Sequence, residues 1–145
     1  MRLDNSILYK QCQPADFKSP TENLRTAQHL IQLMMRERGI GLAANQAGLD
    51  LRLFVMYVDK EIFHCFNPEI ISSQDVCVMP EGCLSFPGQR LEIERPAKIR
   101  ARYYNARGLE EIRDFSGIAA RCFQHELDHL NGITMHERVT VYDKS

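Results

Sequence analysis

The sequence lacks the features that mark several specialised classes of protein. It has no run of about 20 apolar residues, the length that a membrane-spanning helix requires, and its first residues contain no apolar segment typical of a signal peptide. It also lacks an excess of either charge, because 18 basic and 19 acidic side chains give a formal charge of −1. These absences predict a cytoplasmic protein that binds neither a membrane nor a specific nucleic acid.

Paired cysteine motifs are absent as well. The chain has five cysteines without C-x-x-C spacing: Cys12, Cys65, Cys77, Cys83 and Cys122. An odd number without paired spacing disfavours both a disulfide framework and a zinc ribbon, so most of these side chains are expected to be small buried residues. No internal repeat, low-complexity segment or linker divides the chain. Its length therefore predicts a single domain over residues 1–145.

The most informative segment that is present is an H-E-x-x-H motif, which begins at His125 and ends at His129. On a helix this spacing places two imidazoles one turn apart on the same face, with the carboxylate of Glu126 between them. Two histidines in this arrangement are typical of a metal site, in which the carboxylate exchanges protons with bound water. Asp128 has two interpretations: it orients a ligand histidine, or it is solvated.

Such a site needs a third protein ligand and leaves a fourth position for water. Cys83 is our candidate, because it lies in the segment Glu81–Gly88, whose glycines let the backbone approach a ligand closely. A third segment, Gly39–Gln46, is rich in small residues that leave room for a substrate chain. Its Gln46 amide could bind a developing oxyanion, a contribution on the order of 3 kcal/mol. Alone, this segment is more typical of a helix cap followed by a compact strand.

The spacing of apolar residues predicts two helices. The first begins with Ser19 as N-cap and Pro20 at its first position, and it ends before Gly39. The second covers Ile118–Leu130 and ends at Gly132. The apolar stripe of the first helix is expected to consist of Leu24, Ala27, Ile31 and Met34, and the inward face of the second of Ile118, Cys122, His125 and His129.

Several segments between these helices are typical of strands. They are rich in branched and aromatic residues or alternate in polarity: Leu51–Val58, Phe63–Ile71, Leu91–Glu94, Lys98–Tyr103 and Leu109–Phe115. Pro68 should bend the second of them or restrict it to an edge. The segments predict an antiparallel meander. The expected fold class is therefore α+β, with antiparallel β-sheets packed around a central helix that carries the H-E-x-x-H motif.

Together the three chemical segments resemble the peptide deformylase family. Its signature motifs run G-x-G-L-A-A-x-Q, E-G-C-L-S and Q-H-E-x-D-H in that order, and they match Gly39–Gln46, Glu81–Ser85 and Gln124–His129. The likeness extends over the segment Ser19–Arg138, and the joint match is far more specific than any one motif. The resemblance implies a metal-dependent hydrolase that removes the N-formyl group from formylmethionyl peptides.

The resemblance also implies a role for each matching residue. Cys83, His125 and His129 would hold one divalent metal ion, with water in the fourth position. This ion would be iron(II) natively, with zinc or nickel as alternatives. Glu126 would be the general acid and base, while Gln46 and the backbone N–H of Leu84 would stabilise the oxyanion.

The peptide substrate would be held by residues from each of these segments. Backbone near Ile40, Gly41 and Gly82 would pair with the peptide as an added strand. The methionine pocket would be lined by Ile40, Cys122 and His125, with Arg121 at its border.

Only thirteen residues follow Gly132, fewer than the long C-terminal helix of many bacterial members needs. This shortness resembles the compact deformylases of some bacteriophages. It implies transient proximity to the ribosome without docking through a C-terminal helix. We expect a monomer in the cytosol of a bacterium or of a phage-infected host.

Two alternatives are kept, one within the hydrolases and one from a different class. A metallo-endopeptidase of the H-E-x-x-H type would normally take a more distant Glu or His as its third ligand, which the glycine setting of Cys83 disfavours. A non-catalytic metal-binding or peptide-binding module could retain the fold without the reaction. The presence of both Glu126 and Gln46 disfavours that alternative.

Overall fold

A computed structural model describes residues 1–139 of the chain. It contains two helices, one antiparallel sheet and two short 3₁₀ turns, and it confirms the predicted α+β class. In chain order the elements are α1 (Pro20–Arg36), β1 (Gly41–Ala43), a 3₁₀ turn (Ala44–Gln46), β2 (Leu53–Val58), β3 (Glu61–Cys83), β4 (Phe86–Tyr104), β5 (Glu110–Ser116), α2 (Gly117–Leu130) and a second 3₁₀ turn (Met135–Arg138).

The five strands form a meander, as predicted, because each pairs antiparallel with the next one along the chain. The segments Leu91–Glu94 and Lys98–Tyr103 were expected as separate strands but belong to one continuous strand, β4. Pro96 lies between them without ending the strand. The pairing of β5 with β4 begins only at Lys98. Among the described residues, Pro96 therefore has no strand partner on that side, and the N–H that proline lacks is not needed there.

The predicted strand Phe63–Ile71 is part of β3, which continues to Cys83. The interruption expected at Pro68 takes the form of a bulge, since the pairing with β4 shifts register between Phe66 and Glu69. Within the described residues, β3 pairs with β2 as far as Phe66 and with β4 from Phe66 onward, so Pro68 lies where one side of the strand has no strand partner.

Helix α1 begins as predicted. The Ser19 hydroxyl accepts a hydrogen bond from the backbone N–H of Glu22 at 3.3 Å, which caps the helix. Its buried face differs from the prediction, because Leu24 is 41% exposed and Ile31 is only half-buried. The helix rests against β1 and β2 on a face rotated from the predicted one, and its buried residues are Ala27, Leu30, Leu33 and Met34.

The hydrophobic core lies on both faces of strand β2, whose side chains alternate between two clusters. On one face Phe54 packs edge-on against Phe123 of α2, with ring centroids 4.9 Å apart. On the other face Leu53 and Val55 join the cluster that contains Leu30 of α1. This arrangement buries α2 behind the sheet and fixes the histidines that it carries. No helix within residues 1–139 is long and apolar enough to cross a membrane.

Candidate metal centre

Three side chains of the predicted metal set converge between the end of β3 and helix α2. Cys83 is the last residue of β3, and His125 and His129 are one turn apart on α2. Their ligand atoms all lie within 4.8 Å of one another. Cys83 Sγ is 3.3 Å from His129 Nε2. Within residues 1–139 this is the one group of three such side chains that could share a metal ion.

The donor types suit a tetrahedral transition-metal ion, and the 3.3 Å between Cys83 Sγ and His129 Nε2 agrees with the size of such an ion. Such an ion lies about 2.3 Å from sulfur and about 2.0 Å from nitrogen, which requires ligand atoms roughly 3 to 4 Å apart. The Nδ1 atom of His125 is bound to Glu81 at 2.8 Å, so Nε2 is the nitrogen available to an ion. A carboxylate behind a ligand imidazole fixes both its tautomer and its orientation. This fit rests on side-chain geometry as well as on sequence spacing.

Glu81 belongs to the candidate site, and sequence analysis assigned it no role. Its buried carboxylate accepts hydrogen bonds from Arg95 Nη2 at 3.0 Å, from Arg121 Nη1 at 2.7 Å and from His125 Nδ1. Burial alone would raise the pKa of Glu81, but the bonds from His125 and Arg95 outweigh it and hold the pKa well below the usual range. Glu81 is 44 residues from His125 in the chain, so no sequence spacing could have indicated this contact.

Asp128 fits neither predicted interpretation. It contacts no ligand histidine, and its carboxylate is buried rather than solvated. It accepts hydrogen bonds from Arg95 at 2.8 Å and from Arg138 at 3.0 Å. Because Arg95 also binds Glu81, Asp128 acts on the site indirectly, through an ion-pair network that supports His125.

Glu126 is buried beside the ligands with one carboxylate oxygen available. Its Oε1 atom has no hydrogen-bond partner among the described residues. Burial raises the pKa of Glu126 to about 7; the charge of Glu81 adds to this rise, and the charges of His125 and Arg95 oppose it. A carboxyl group with a pKa near neutrality can both accept and donate a proton under physiological conditions.

The two histidines have opposite acid–base environments. Burial, with the nearby positive charges of His125 and Arg95, lowers the pKa of His129 to about 3, so its imidazole is neutral and suited to bind a metal ion. Burial also lowers the pKa of His125, but bonds to Cys83 and Glu81 outweigh it and raise the pKa to about 10. Metal binding at His125 would therefore release a proton.

Gln46 lies beside the thiol of Cys83. Its Oε1 atom accepts the backbone N–H of Ala43 at 2.9 Å, which leaves Nε2 to donate. Nε2 donates to the Ser85 hydroxyl at 3.0 Å and is 3.6 Å from Cys83 Sγ. Sequence reasoning missed this role of Ser85. It also missed Asn45, whose Nδ2 atom donates to the backbone oxygen of His129.

These side chains open onto a cleft of about 660 Å³. Arg121 lines it, whereas His129 is buried and does not. A Cβ atom added to Gly41 would lie 2.6 Å from Cys122 Sγ and 2.7 Å from Glu126 Oε2, so this position requires glycine. The other residues predicted to act or bind here all line the cleft: Ile40, Gly41, Gln46, Gly82, Cys83, Leu84, Cys122, His125 and Glu126.

The chain was compared with known families, proteins and structures. A family model described as "Polypeptide deformylase" matches residues 1–145. The peptide deformylase of Thermotoga maritima is 44% identical over 136 residues, which cover 92% of this chain and 82% of that protein. The peptide deformylase of Afipia carboxidovorans is 41% identical over 139 residues, covering 90% of this chain and 80% of that protein.

Solved structures agree with these matches. The crystal structure of the Thermotoga maritima peptide deformylase superposes with a TM-score of 0.89 at 40% identity and covers 96% of this chain and 95% of that one. The Plasmodium falciparum peptide deformylase in complex with an inhibitor gives a TM-score of 0.85 at 34% identity, covering 95% and 86% of the two chains. The resemblance found in the three motifs is therefore confirmed. The chain belongs to the peptide deformylase family.

Proposed function

We propose that this protein hydrolyses the N-formyl amide of N-terminal formylmethionine in nascent peptides, releasing formate and a free amino terminus. The observation that carries the proposal is the convergence of one thiol and two imidazoles beside a buried carboxylate, Glu126, that has a free oxygen. Membership of the peptide deformylase family supports the same reaction.

Cys83, His125 and His129 would hold one divalent metal ion in this proposal. A bound ion supplies Lewis acidity, which polarises the formyl carbonyl and lowers the pKa of water. Thiolate and imidazole donors suit iron(II), zinc and nickel, and we propose iron(II) as the native metal. The bond from His125 Nδ1 to Glu81 supports this set, because it leaves Nε2 for the ion.

Glu126 would transfer the proton. It would accept a proton from the attacking water and donate it to the leaving amine nitrogen, as its pKa of about 7 allows in both directions. The buried amide of Gln46 and the backbone N–H of Leu84 would stabilise the negative charge that develops on the formyl oxygen. The hydrogen bond that Gln46 Oε1 accepts from the backbone N–H of Ala43 supports this role, because it leaves the Nε2 atom facing Cys83.

The substrate backbone would extend the sheet. Strand β1 has a strand partner on one side only within the described residues, so its other edge is available to a peptide. Ile40 and Gly41 at this edge, and Gly82 on β3, would supply the backbone contacts. Ile40, Cys122 and His125 would line the methionine pocket; burial raises the pKa of Cys122 well above its usual value and keeps its thiol neutral.

We propose further that the chain acts as one domain and as a monomer, in the cytosol of a bacterium or a phage-infected host. It would work transiently near the ribosome. The expectation about a C-terminal helix concerns the segment after Gly132, of which residues 140–145 lie outside the described residues.

The test is formate release from a formyl-Met-Ala-Ser peptide by protein purified without oxygen, with metal content determined on the same sample. An internally cleavable, unformylated peptide is assayed in parallel. We expect stoichiometric metal, formate from the first peptide and no cleavage of the second. Cleavage of the internal bond would favour a metallo-endopeptidase, and metallated protein that forms neither product would favour a binding module.

A further inference from the structure

Two of the three arginines that line the cleft differ from most others in the chain. Eight arginines lie within 4.0 Å of a carboxylate: Arg25, Arg36, Arg95, Arg100, Arg102, Arg113, Arg121 and Arg138. Arg38 and Arg90 also line the cleft, and both are exposed. Neither has an ion-pair partner among residues 1–139. Two guanidinium groups at the cleft are therefore available to a ligand.

Arg38 occupies a position where its side chain is not needed by the fold. It follows helix α1 with a φ of 61°, in the left-handed region, and its N–H bonds to the backbone oxygen of Met35. Glycine or asparagine would adopt this conformation at lower cost. The residue lies two positions before Ile40, at the edge proposed to pair with the peptide. Its long cationic side chain lines the cleft, and a cation at this position also suits the negative end of helix α1.

Arg90 lies at the other segment proposed to contact the peptide backbone. Its Nη1 atom is 3.7 Å from the position that a Cβ atom on Gly82 would occupy. The guanidinium group of Arg90 therefore lies next to the backbone of Gly82 at the surface of the cleft. A peptide would lie between two segments, and each of them has one of these arginines beside it. Arg38 is near Ile40, and Arg90 is near Gly82.

The acidic groups of the cleft do not cancel these charges. Glu37 also lines the cleft, but its carboxylate is 3.9 Å from the guanidinium of Arg36. Glu81 is buried and bound by Arg95 and Arg121. Glu126 is buried next to the ligand histidines. The exposed rim of the cleft thus has two cations, Arg38 and Arg90, without an ion-pair partner among residues 1–139. It has one anion, Glu37, which is near Arg36.

We infer that Arg38 and Arg90 give the cleft a preference for formylmethionyl peptides that carry Asp or Glu within the first few positions after methionine. Guanidinium groups bind carboxylates through paired charge-assisted hydrogen bonds, whereas they repel Lys and Arg. This inference rests on the proposed function, since it concerns which nascent chains that reaction favours.

The experiment compares kcat/KM for formate release from peptides of the form formyl-Met-Xaa-Xaa-Xaa, in which Glu, Gln or Lys replaces one Ala at a time. At low ionic strength we expect at least one position to favour Glu over Gln by about three- to fivefold, the size typical of an exposed charge pair. Lys should be disfavoured at the same position. In 1 M salt, where charges are screened beyond about 3 Å, the preference should disappear.

Variants test the assignment to the two arginines. Arg38→Asn, which keeps a residue tolerant of the left-handed backbone, and Arg90→Gln should each lower the Glu-to-Gln ratio. Because the ratio compares two peptides on the same enzyme, a general change in activity cancels. Glu37→Gln should raise the ratio. Arg107→Gln, at an exposed residue that does not line the cleft, is the matched control and should leave it unchanged.

The outcomes separate this inference from the proposed function. Formate release at equal rates from all charge variants, or a Glu preference that survives loss of both arginines, would overturn the inference alone. Failure to release formate from every peptide, whatever its charge, would overturn the proposed function and the inference with it.

Discussion

Glu81 accepts hydrogen bonds from three buried side chains and holds the ring of His125 in one orientation. Glu81→Gln should lower the free energy of unfolding by about 3 kcal/mol at pH 7, because it leaves the buried guanidinium of Arg121 without its counter-charge and Arg95 with Asp128 alone. Urea denaturation measures this loss. Glu69→Gln, which removes an exposed partner of Arg102, is the matched control and should have little effect.

The pH dependence of this difference has a defined sign. The pKa of Glu81 is lower in the folded chain than its ordinary value near 4.5. A carboxyl with a lowered pKa contributes stability that is fully present above the ordinary pKa and is lost as the pH falls below it. The difference in unfolding free energy between the parent and Glu81→Gln should therefore shrink below about pH 4.5. A difference that grows on acidification would contradict this.

The proposed role of Glu126 can be tested apart from metal binding, because Glu126 would transfer a proton without binding the ion. Glu126→Gln keeps the shape of the side chain but removes its basicity. We expect kcat to fall by about 10²- to 10⁴-fold, the usual contribution of a general acid–base group, while the metal content stays stoichiometric. Steady-state formate release and metal analysis on one preparation test both statements. A variant that keeps most of its rate would exclude Glu126 as the proton carrier.

At the scale of elements, helix α2 is bounded by two glycines in the left-handed region, Gly117 with φ 59° and Gly132 with φ 75°. A Cβ atom on Gly132 would lie 2.5 Å from the backbone oxygen of Tyr9, whereas one on Gly117 would meet nothing within 4 Å. Gly117→Ala should cost about 1–2 kcal/mol of stability, from backbone strain alone.

Gly132→Ala should cost clearly more than Gly117→Ala, because the N-terminal segment at Tyr9 must move in addition. Thermal or chemical denaturation of both variants gives the comparison. Equal losses of stability in the two variants would mean that the N-terminal segment moves at no energetic cost and does not pack firmly against the end of α2.

Helix α2 and strand β2 could be predicted from the sequence, whereas the exposed part of strand β3 could not. Helix α2 and strand β2 have strong apolar signals because each contributes to the core on the sheet. In β3 the segment 72–80 is largely exposed, so it has no alternating pattern, and only its pairing with β4 reveals it as a strand. The extent of the long hairpin was therefore missed, as was the rotation of the buried face of α1.

The candidate site likewise contains residues that the sequence could indicate and contacts that only the folded structure reveals. His125 and His129 could be assigned because their chemistry depends on spacing within one helix. The contact of Glu81 with His125, and that of Asn45 with His129, span 44 and 84 residues and exist only after the hairpin and helix have packed. Sequence spacing thus indicates the proposed metal ligands but not the groups that orient them.

At the scale of the whole molecule, a bound ion would join the end of the β3–β4 hairpin to helix α2, because Cys83 and the two histidines belong to those separate elements. Removing the metal with a chelator should lower Tm. Restoring it at about one hundred times its Kd should return about 2.7 kcal/mol by mass action. Calorimetry with and without chelator measures the shift.

Cys83→Ala should lose the metal and make Tm insensitive to the chelator. Cys77→Ala is the matched control, since Cys77 lies on the same strand but outside the ligand group, and it should respond like the parent chain. Stoichiometric metal in Cys83→Ala, with unchanged affinity, would remove Cys83 from the ligand set.

The short turn between β3 and β4 limits how the gene for such a chain can change in length. Only Leu84 and Ser85 separate Cys83 from its strand partner Phe86. Side chains alternate between the faces of a strand, so one codon gained or lost beside this turn would direct the thiol away from α2. Base substitutions can accumulate in the exposed segment 72–80, whereas single-codon insertions or deletions near Cys83 should be purged by selection.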